Sequence, residues 1–204
     1  MKKHNLMHRA LSYLCIPALV LTLTMCSAGV GPGEVPQSTP VIPPAELTEA
    51  CGFKVGDRAC NFELISQDGT VTSLYDFSGK AIVIDFSTMW CGPCQLAART
   101  IQETQEKYGE NTFVYLTILV DNFQGKPPTQ SELQQWATYF NIEMPIMSGQ
   151  REMLDSTGEN GWHLNYWPTF VFIDYDMVIL EYMDGWSEEI LQDKINKLVL
   201  GKLG

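Results

Sequence analysis

Positive charge and histidine are both scarce in this chain of 204 residues. Lysine and arginine number 13 against 24 aspartates and glutamates. Three of the 13, Lys2, Lys3 and Arg9, fall in the first 25 positions, where no acid stands, so residues 26–204 carry ten against 24, a net charge of −14. Such a surface repels phosphate backbones, which excludes nucleic acid as a partner, and it chiefly promotes solubility. Of the three histidines, His4 and His8 are N-terminal and only His163 remains in the body of the chain. Repeats are absent, which excludes solenoids and propellers. The apolar run over residues 11–25 is too short for a comfortable spanning helix.

That run, preceded by Lys2, Lys3 and Arg9, has the form of a signal peptide over residues 1–25. Leu23-Thr-Met-Cys26 resembles a bacterial lipobox, which marks Cys26 for lipidation, although Met25 stands where Gly, Ala or Ser is usual. Cleavage after Ser27-Ala28 is the competing reading. Residues 26–50 follow with Pro32, Pro36, Pro40, Pro43 and Pro44 and three acids, a composition that builds no core and forms an extended linker. At about 3 Å per residue such a linker holds a domain several tens of ångströms from a membrane. Residues 51–204 are long enough for one domain with its own core.

The decisive motif is Trp90-Cys91-Gly92-Pro93-Cys94, between the apolar run Ala81–Phe86 and an amphipathic stretch. Two thiols at this spacing, where a buried strand meets a helix, are placed to alternate between dithiol and disulfide. At the helix mouth Cys91 faces unpaired N–H groups and the positive end of the dipole, both of which favour the thiolate. The thiolate is the attacking species, so Cys91 is the nucleophile. Cys94, one turn further in, is expected to be buried and to resolve the mixed disulfide. Pro93 suits an early helix position, and Gly92 leaves room for a partner's backbone. Zinc sites usually draw four ligands as two close pairs, and the other donors here are Cys51, Cys60 and the lone His163. A c-type haem needs histidine after the second cysteine, and Gln95 stands there. No metal or cofactor is therefore expected.

Val55-Gly-Asp, Phe62-Glu-Leu-Ile-Ser-Gln-Asp-Gly69, Leu74-Tyr-Asp-Phe-Ser-Gly-Lys80 and Trp90–Cys94, taken together, resemble the TlpA/ResA-type thioredoxin-like proteins from about Val55 to the C-terminus. Tyr166-Trp-Pro-Thr-Phe-Val-Phe-Ile-Asp174 resembles that family's cis-proline segment, with Pro168 as the cis residue beside the attacking cysteine. The resemblance implies a thioredoxin-like fold with an N-terminal strand extension and a central insertion at about 121–148. It further implies partner docking at Trp90, Gly92, Pro93, Trp167 and Pro168. Asp85, in the strand leading to Cys91, matches the buried aspartate of thioredoxin, and a desolvated carboxyl there has a raised pKa and accepts the proton of Cys94. Arg99 stands where such helices carry a kinking proline, so a straighter helix is expected, and Met177 replaces a glycine common before the last strand.

Strand–helix alternation independently indicates α/β with a mixed sheet flanked by helices. Strands are expected near 61–65, 81–87, 112–120, 170–174 and 178–183, and a helix over 93–108 ending at Gly109. A second helix begins at Thr129, where Glu132 completes a capping box, and a last opens at Ser187. Cys51 and Cys60 remain for a structural disulfide in an oxidising compartment. The sharper alternative makes them an electron relay to Cys91 and Cys94.

These observations lead to an exported, lipid-tethered enzyme of the bacterial cell envelope or periplasm that reduces disulfides of exported proteins. Its electrons come from an upstream membrane dithiol donor. The runner-up is a Sco-like copper-binding protein, whose cysteines are spaced by three with a distant histidine; here the spacing is two and only His163 is available. A peroxiredoxin is excluded because Ile84 replaces the proline its motif requires.

Overall fold

The structure is a computed structural model that describes residues 50–204. The signal segment, Cys26 and residues 27–49 lie outside the described residues. No helix among the described residues is long and apolar enough to cross a membrane.

Two continuous apolar runs form the centre. β3 (Ala81–Thr88) and β4 (Phe113–Asp121) are buried at every position, as parallel strands covered on both faces must be. β4 pairs on its far side with β5 (Ile146–Ser148), also parallel. β8 (Thr169–Ile173) and β9 (Ile179–Asp184) run antiparallel on the other flank. The order is β5-β4-β3-β8-β9, the mixed sheet expected from the alternation of elements. Two small pairs lie outside it: the hairpin β1 (Glu63–Ile65) with β2 (Val71–Ser73), and β6 (Leu154–Asp155) with β7 (Trp162–His163). At two or three residues each, β2, β6 and β7 carry too little alternation to be read from sequence.

Side chains alternate between two cores. Ala81, Val83, Phe113, Tyr115, Phe170 and Phe172 face one side, with the helices. Ile82, Ile84, Phe86, Leu116, Ile118 and Val171 face the other. The mixed sheet carries its helices as expected, and the four α-helices of the described residues pack into the first core. Among the described residues none from an α-helix joins the second core, which is closed by Ala59, Phe62, Trp162 and Leu74 of a short 3-10 helix (Leu74–Phe77). Trp162 packs edge-on or tilted against Phe53, Phe62 and Phe86 at 5.4–6.3 Å between ring centroids. Trp162 of β7, with Phe53 and Phe62, thus does on this face what the α-helices do on the other.

The helix after Cys91 also differs from expectation. Two helices, α1 (Gly92–Ala98) and α2 (Ile101–Tyr108), replace one straight helix over 93–108. The break needs no proline. The Thr100 hydroxyl donates to the Ala97 carbonyl at 2.9 Å, and the Arg99 and Thr100 amides fall back to bonds three residues upstream. A hydroxyl competing for backbone carbonyls bends a helix in this way. Gln105 of α2 then locks to β4, donating to the Phe113 carbonyl at 2.8 Å and accepting from the Tyr115 amide at 2.9 Å.

α3 (Gln130–Phe140) begins as expected: the Thr129 hydroxyl accepts from the Glu132 amide, and the Glu132 carboxylate accepts from the Thr129 amide at 2.8 Å. α4 (Glu188–Val199) buries Leu191, Ile195 and Leu198. At Met177 the backbone is left-handed, with φ of 65°. The Asp174 carboxylate holds this turn by accepting from the Asp176 and Val178 amides, and the Met177 side chain is wholly buried. That burial offsets the ~1–2 kcal/mol that a side chain costs in this conformation.

Cys51 and Cys60 form a disulfide. It closes a clasp in which Gly52 pairs with Ala59, and the clasp bonds through Gly56, Asp57 and Ala59 to Met177 and Ile179 at the start of β9. Ile179 pairs with Ile173, and Ile173 with Ile82, near the start of β3. Cys91 follows the opposite end of β3, about 20 Å away at the usual rise per strand residue. This separation favours the staple over the relay. Removing the bridge with Cys51→Ala/Cys60→Ala is expected to cost about 2–3 kcal/mol by loop entropy. Chemical denaturation of the two oxidised chains measures it, with disulfide reduction by Cys91 and Cys94 keeping its rate.

Candidate active site

β3 and α1 create the site between them. β3 ends at Thr88, and its last turn is tied to β4 by the Met89 amide, which donates to the Asp121 carbonyl at 2.9 Å. Cys91 is the N-cap of α1, in extended conformation, and its Sγ accepts from the Cys94 amide at 3.2 Å. Pro93 sits in the first turn, where its missing N–H costs nothing. Cys91 and Cys94 are joined as a disulfide. Cys94 is wholly buried, whereas Cys91 keeps 5 % of its surface. In front of the pair, a Cβ at Gly92 would meet nothing within 4 Å, and Trp90 beside it is half exposed.

Asp85 lies on the sheet face that α1 and α2 cover, which it shares with Val83 and Ser87 and which the intervening Ile84 and Phe86 leave. It is 1 % exposed, so it does not reach water. The Ser87 hydroxyl donates to its carboxyl at 2.5 Å. Burial pushes the Asp85 pKa up to about 7, against the pull of Ser87 and of the neighbouring Tyr115 phenol. Tyr115 approaches without completing a hydrogen bond of ordinary geometry. Burial and the Asp85 charge hold that phenol well above its usual range. Thr117, opposite Asp85 in the β3–β4 register, adds another buried hydroxyl, one without a partner among the described residues. The carboxyl is thus surrounded by hydroxyls and apolar groups, a setting that keeps a carboxylic acid close to neutrality at physiological pH.

The Trp167–Pro168 peptide bond is cis. Pro168 precedes β8, whose first residue Thr169 pairs with Phe86. This register carries the proline to the end of β3 from which Trp90–Cys94 springs. Pro168 is buried, and its carbonyl accepts from the Gly185 amide at 2.8 Å. Trp167 is partly buried and packs against the second core. Cys91, Cys94, Trp90, Gly92, Pro93, Trp167 and Pro168 therefore converge at one end of the sheet. Cys51 and Cys60 sit at the other, and Cys26 is outside the described residues.

His163 belongs to β7, its ring edge-on to Tyr182 and its Nε2 3.0 Å from the Asn165 side-chain nitrogen. It is a half-buried packing residue of a short strand. Among the described residues no group of three or more His, Cys, Asp or Glu side chains is arranged to hold a metal ion.

The chain has counterparts among known proteins. The profile of the AhpC/TSA family matches residues 55–182. The chain belongs to the AhpC/TSA family. Within the described residues, 50–204, this match runs through the redox motif and the sheet as far as Tyr182 in β9 and stops short of α4. The chain is similar to the thioredoxin-like protein YneN of Bacillus subtilis, 25 % identical over 135 residues that cover 66 % of this chain and 74 % of that one. It is also similar to the thiol-disulfide oxidoreductase ResA of Bacillus anthracis, 22 % identical over 147 residues, 72 % of this chain and 79 % of that one. Among solved structures, the thioredoxin domain of a thiol-disulfide oxidoreductase from Bacteroides vulgatus superposes with a TM-score of 0.59. Its identity is 17 %, covering 72 % of this chain and 99 % of that one. The pneumococcal exposed lipoprotein thioredoxin of Streptococcus pneumoniae gives 0.55 at 21 % identity, over 70 % and 99 %. These likenesses show that this member of the AhpC/TSA family has the thioredoxin-like fold.

Two groups near the site had no signal in the sequence. Arg151 makes a two-pronged pair with the buried carboxylate of Asp121 at the end of β4. It ties the segment leading toward Pro168 to the strand that holds Met89. Tyr115 meets Asp85 only through the register of two parallel strands. Neither relation can be read from linear spacing.

Proposed function

We propose that this chain is an exported thiol–disulfide oxidoreductase that reduces disulfides of other exported proteins, tethered to the bacterial envelope by a lipid on Cys26. The observation that carries the reading is the Cys91–Cys94 disulfide at the N-terminus of α1, its outer sulfur accepting a backbone N–H and its inner sulfur sealed from water. Relatives named as thiol-disulfide oxidoreductases and a neighbour named as an exposed lipoprotein thioredoxin support it. In this layout residues 1–25 are the signal peptide, 26–50 the spacer and 51–204 the catalytic domain.

In the reduced enzyme the Cys91 thiolate attacks one sulfur of the substrate disulfide. A mixed disulfide forms, and the substrate's other sulfur leaves as a thiolate. Cys94 gives its proton to the Asp85 carboxylate and attacks the Cys91 sulfur. The second substrate sulfur leaves, and the Cys91–Cys94 disulfide remains. Two electrons have passed to the substrate, and an upstream dithiol restores the enzyme. The hydrogen bond from the Cys94 amide stabilises Cys91 as thiolate and leaving group. No bound metal or cofactor enters this cycle.

The test is insulin reduction by the full chain, with dithiothreitol as electron source, together with equilibration against glutathione. Acceleration of insulin precipitation is expected, with a midpoint near the thioredoxin value of about −270 mV. A midpoint near about −120 mV would reverse the direction and make the protein an oxidant. Mass spectrometry of the protein from membranes should find Cys26 diacylated as the first residue; a chain beginning at Gly29 would remove the tether.

A further inference from the structure

Beside the redox disulfide lies a groove of about 340 Å³ between α1 and α3. Met89 and Gln95 form its redox wall, Trp136, Tyr139 and Phe140 of α3 the opposite wall, and Phe123 the rim. None of these side chains is charged, on a chain with 24 acids against 13 bases. Phe123 is 63 % exposed and Tyr139 74 %, and two such aromatics facing water beside one hollow mark a binding surface rather than scattered apolar residues.

The groove is built rather than incidental. Phe123 stands on a short loop held by Asn122, whose side-chain oxygen accepts from the Gln124 and Lys126 amides at 2.9 and 3.1 Å. The Asn122 amide nitrogen donates to Glu132, the capping-box residue of α3. Loop and helix are therefore fixed to each other before anything binds, which lowers the ordering cost of binding. The groove is also continuous with the redox site. Gln95 directly follows Cys94, and its side chain donates at 2.9 Å to the carbonyl of Met89, next to Trp90.

We propose that this groove is a specificity subsite for the polypeptide substrate. A large apolar side chain, close in sequence to the substrate's reactive cysteine, seats between α1 and α3 while the cysteine's sulfur meets Cys91. The inference rests on the oxidoreductase reading above and adds the class of substrate it prefers: disulfides flanked by aromatic or large aliphatic residues rather than by polar ones.

The experiment compares two peptides that share one disulfide and differ only in a phenylalanine or a serine beside the cysteine. The full chain is expected to favour the phenylalanine peptide about tenfold in kcat/KM, carried by KM, as one apolar side chain in a pocket allows. In Phe123→Ser/Tyr139→Ser, whose exposed positions spare the core, the preference should fall below about twofold, the scale of losing that contact. Gln135 of α3 also lines the groove, and the isosteric Gln135→Glu, which adds a charge there, should weaken the preference in the same direction. An undiminished preference in these variants, or none in the wild-type chain while both peptides are reduced, overturns the proposal. Tight binding of anilinonaphthalene sulfonate that the phenylalanine peptide fails to displace would assign the groove to a small apolar ligand. A dimer that the double variant cannot form would assign it to a second copy of the chain. Either result overturns the peptide subsite. Failure to reduce either peptide, with Cys91 and Cys94 verified as thiols, brings down the oxidoreductase reading itself.

Discussion

Cys94→Ser is expected to stop the cycle half-way, with substrates held on Cys91 as stable mixed disulfides, while Cys91→Ser abolishes disulfide reduction altogether. The asymmetry follows from burial. Cys91 is the residue of the pair that keeps a surface, its sulfur accepts the Cys94 N–H, and the neighbouring Gly92 has open space before it. Cys94 is wholly enclosed and can reach only a disulfide already attached to its neighbour. Effects of residues that act as a unit do not add, so the double variant should be no less active than Cys91→Ser alone. Non-reducing electrophoresis of the Cys94→Ser chain recovered from the envelope would display the trapped partners and identify them by mass. Equal trapping by Cys91→Ser would exchange the two roles.

Asp85→Asn is expected to slow turnover about 100-fold, the scale of one general base, and to make the protein more stable. The two effects share one cause. Burial lifts this carboxyl from 3.8 to about 7. Below about pH 4 it is protonated in folded and unfolded chains alike and makes no difference to stability. Between about pH 4 and 7 the unfolded chain ionises and the folded chain resists, so stability falls as pH rises and levels off above about 7. A displacement of that size corresponds to about 4 kcal/mol lost at neutral pH and above. Asparagine removes the loss, so thermal unfolding of the variant should rise above wild type at pH 8 and match it at pH 4. In the rate profile, the inflection near pH 7 should disappear. Insulin-reduction kinetics that stay unchanged in this variant would rule out the proton-acceptor role, and an unfolding profile independent of pH in the wild-type chain would contradict the buried, near-neutral acid.

The redox residues were legible because their chemistry is local. Cys91, Gly92, Pro93 and Cys94 occupy one helical turn, and a turn's geometry is contained in its spacing. Asp85 was legible because a lone acid in an apolar strand has few ways to exist. The break at Arg99–Thr100 escaped because the expectation considered only proline, while a hydroxyl that bonds back to Ala97 does the same with no conspicuous residue. The covering of the second sheet face escaped for another reason. Trp162 lies in a stretch with little periodic structure, and its partners Phe53, Phe62 and Phe86 are distant in sequence.

From the order of residues alone follow the dithiol chemistry, the buried central strands and the α/β class, since each depends on neighbours within a turn or on a repeat of two. Tertiary structure alone decided that Tyr115 and Thr117 face Asp85, that Arg151 reaches Asp121, and that Phe123 and Tyr139 frame a groove next to the reactive sulfur. Those relations arise where strands align and loops return, at sequence separations for which the chain carries no local energetic signature. They exist only once the sheet has fixed its register.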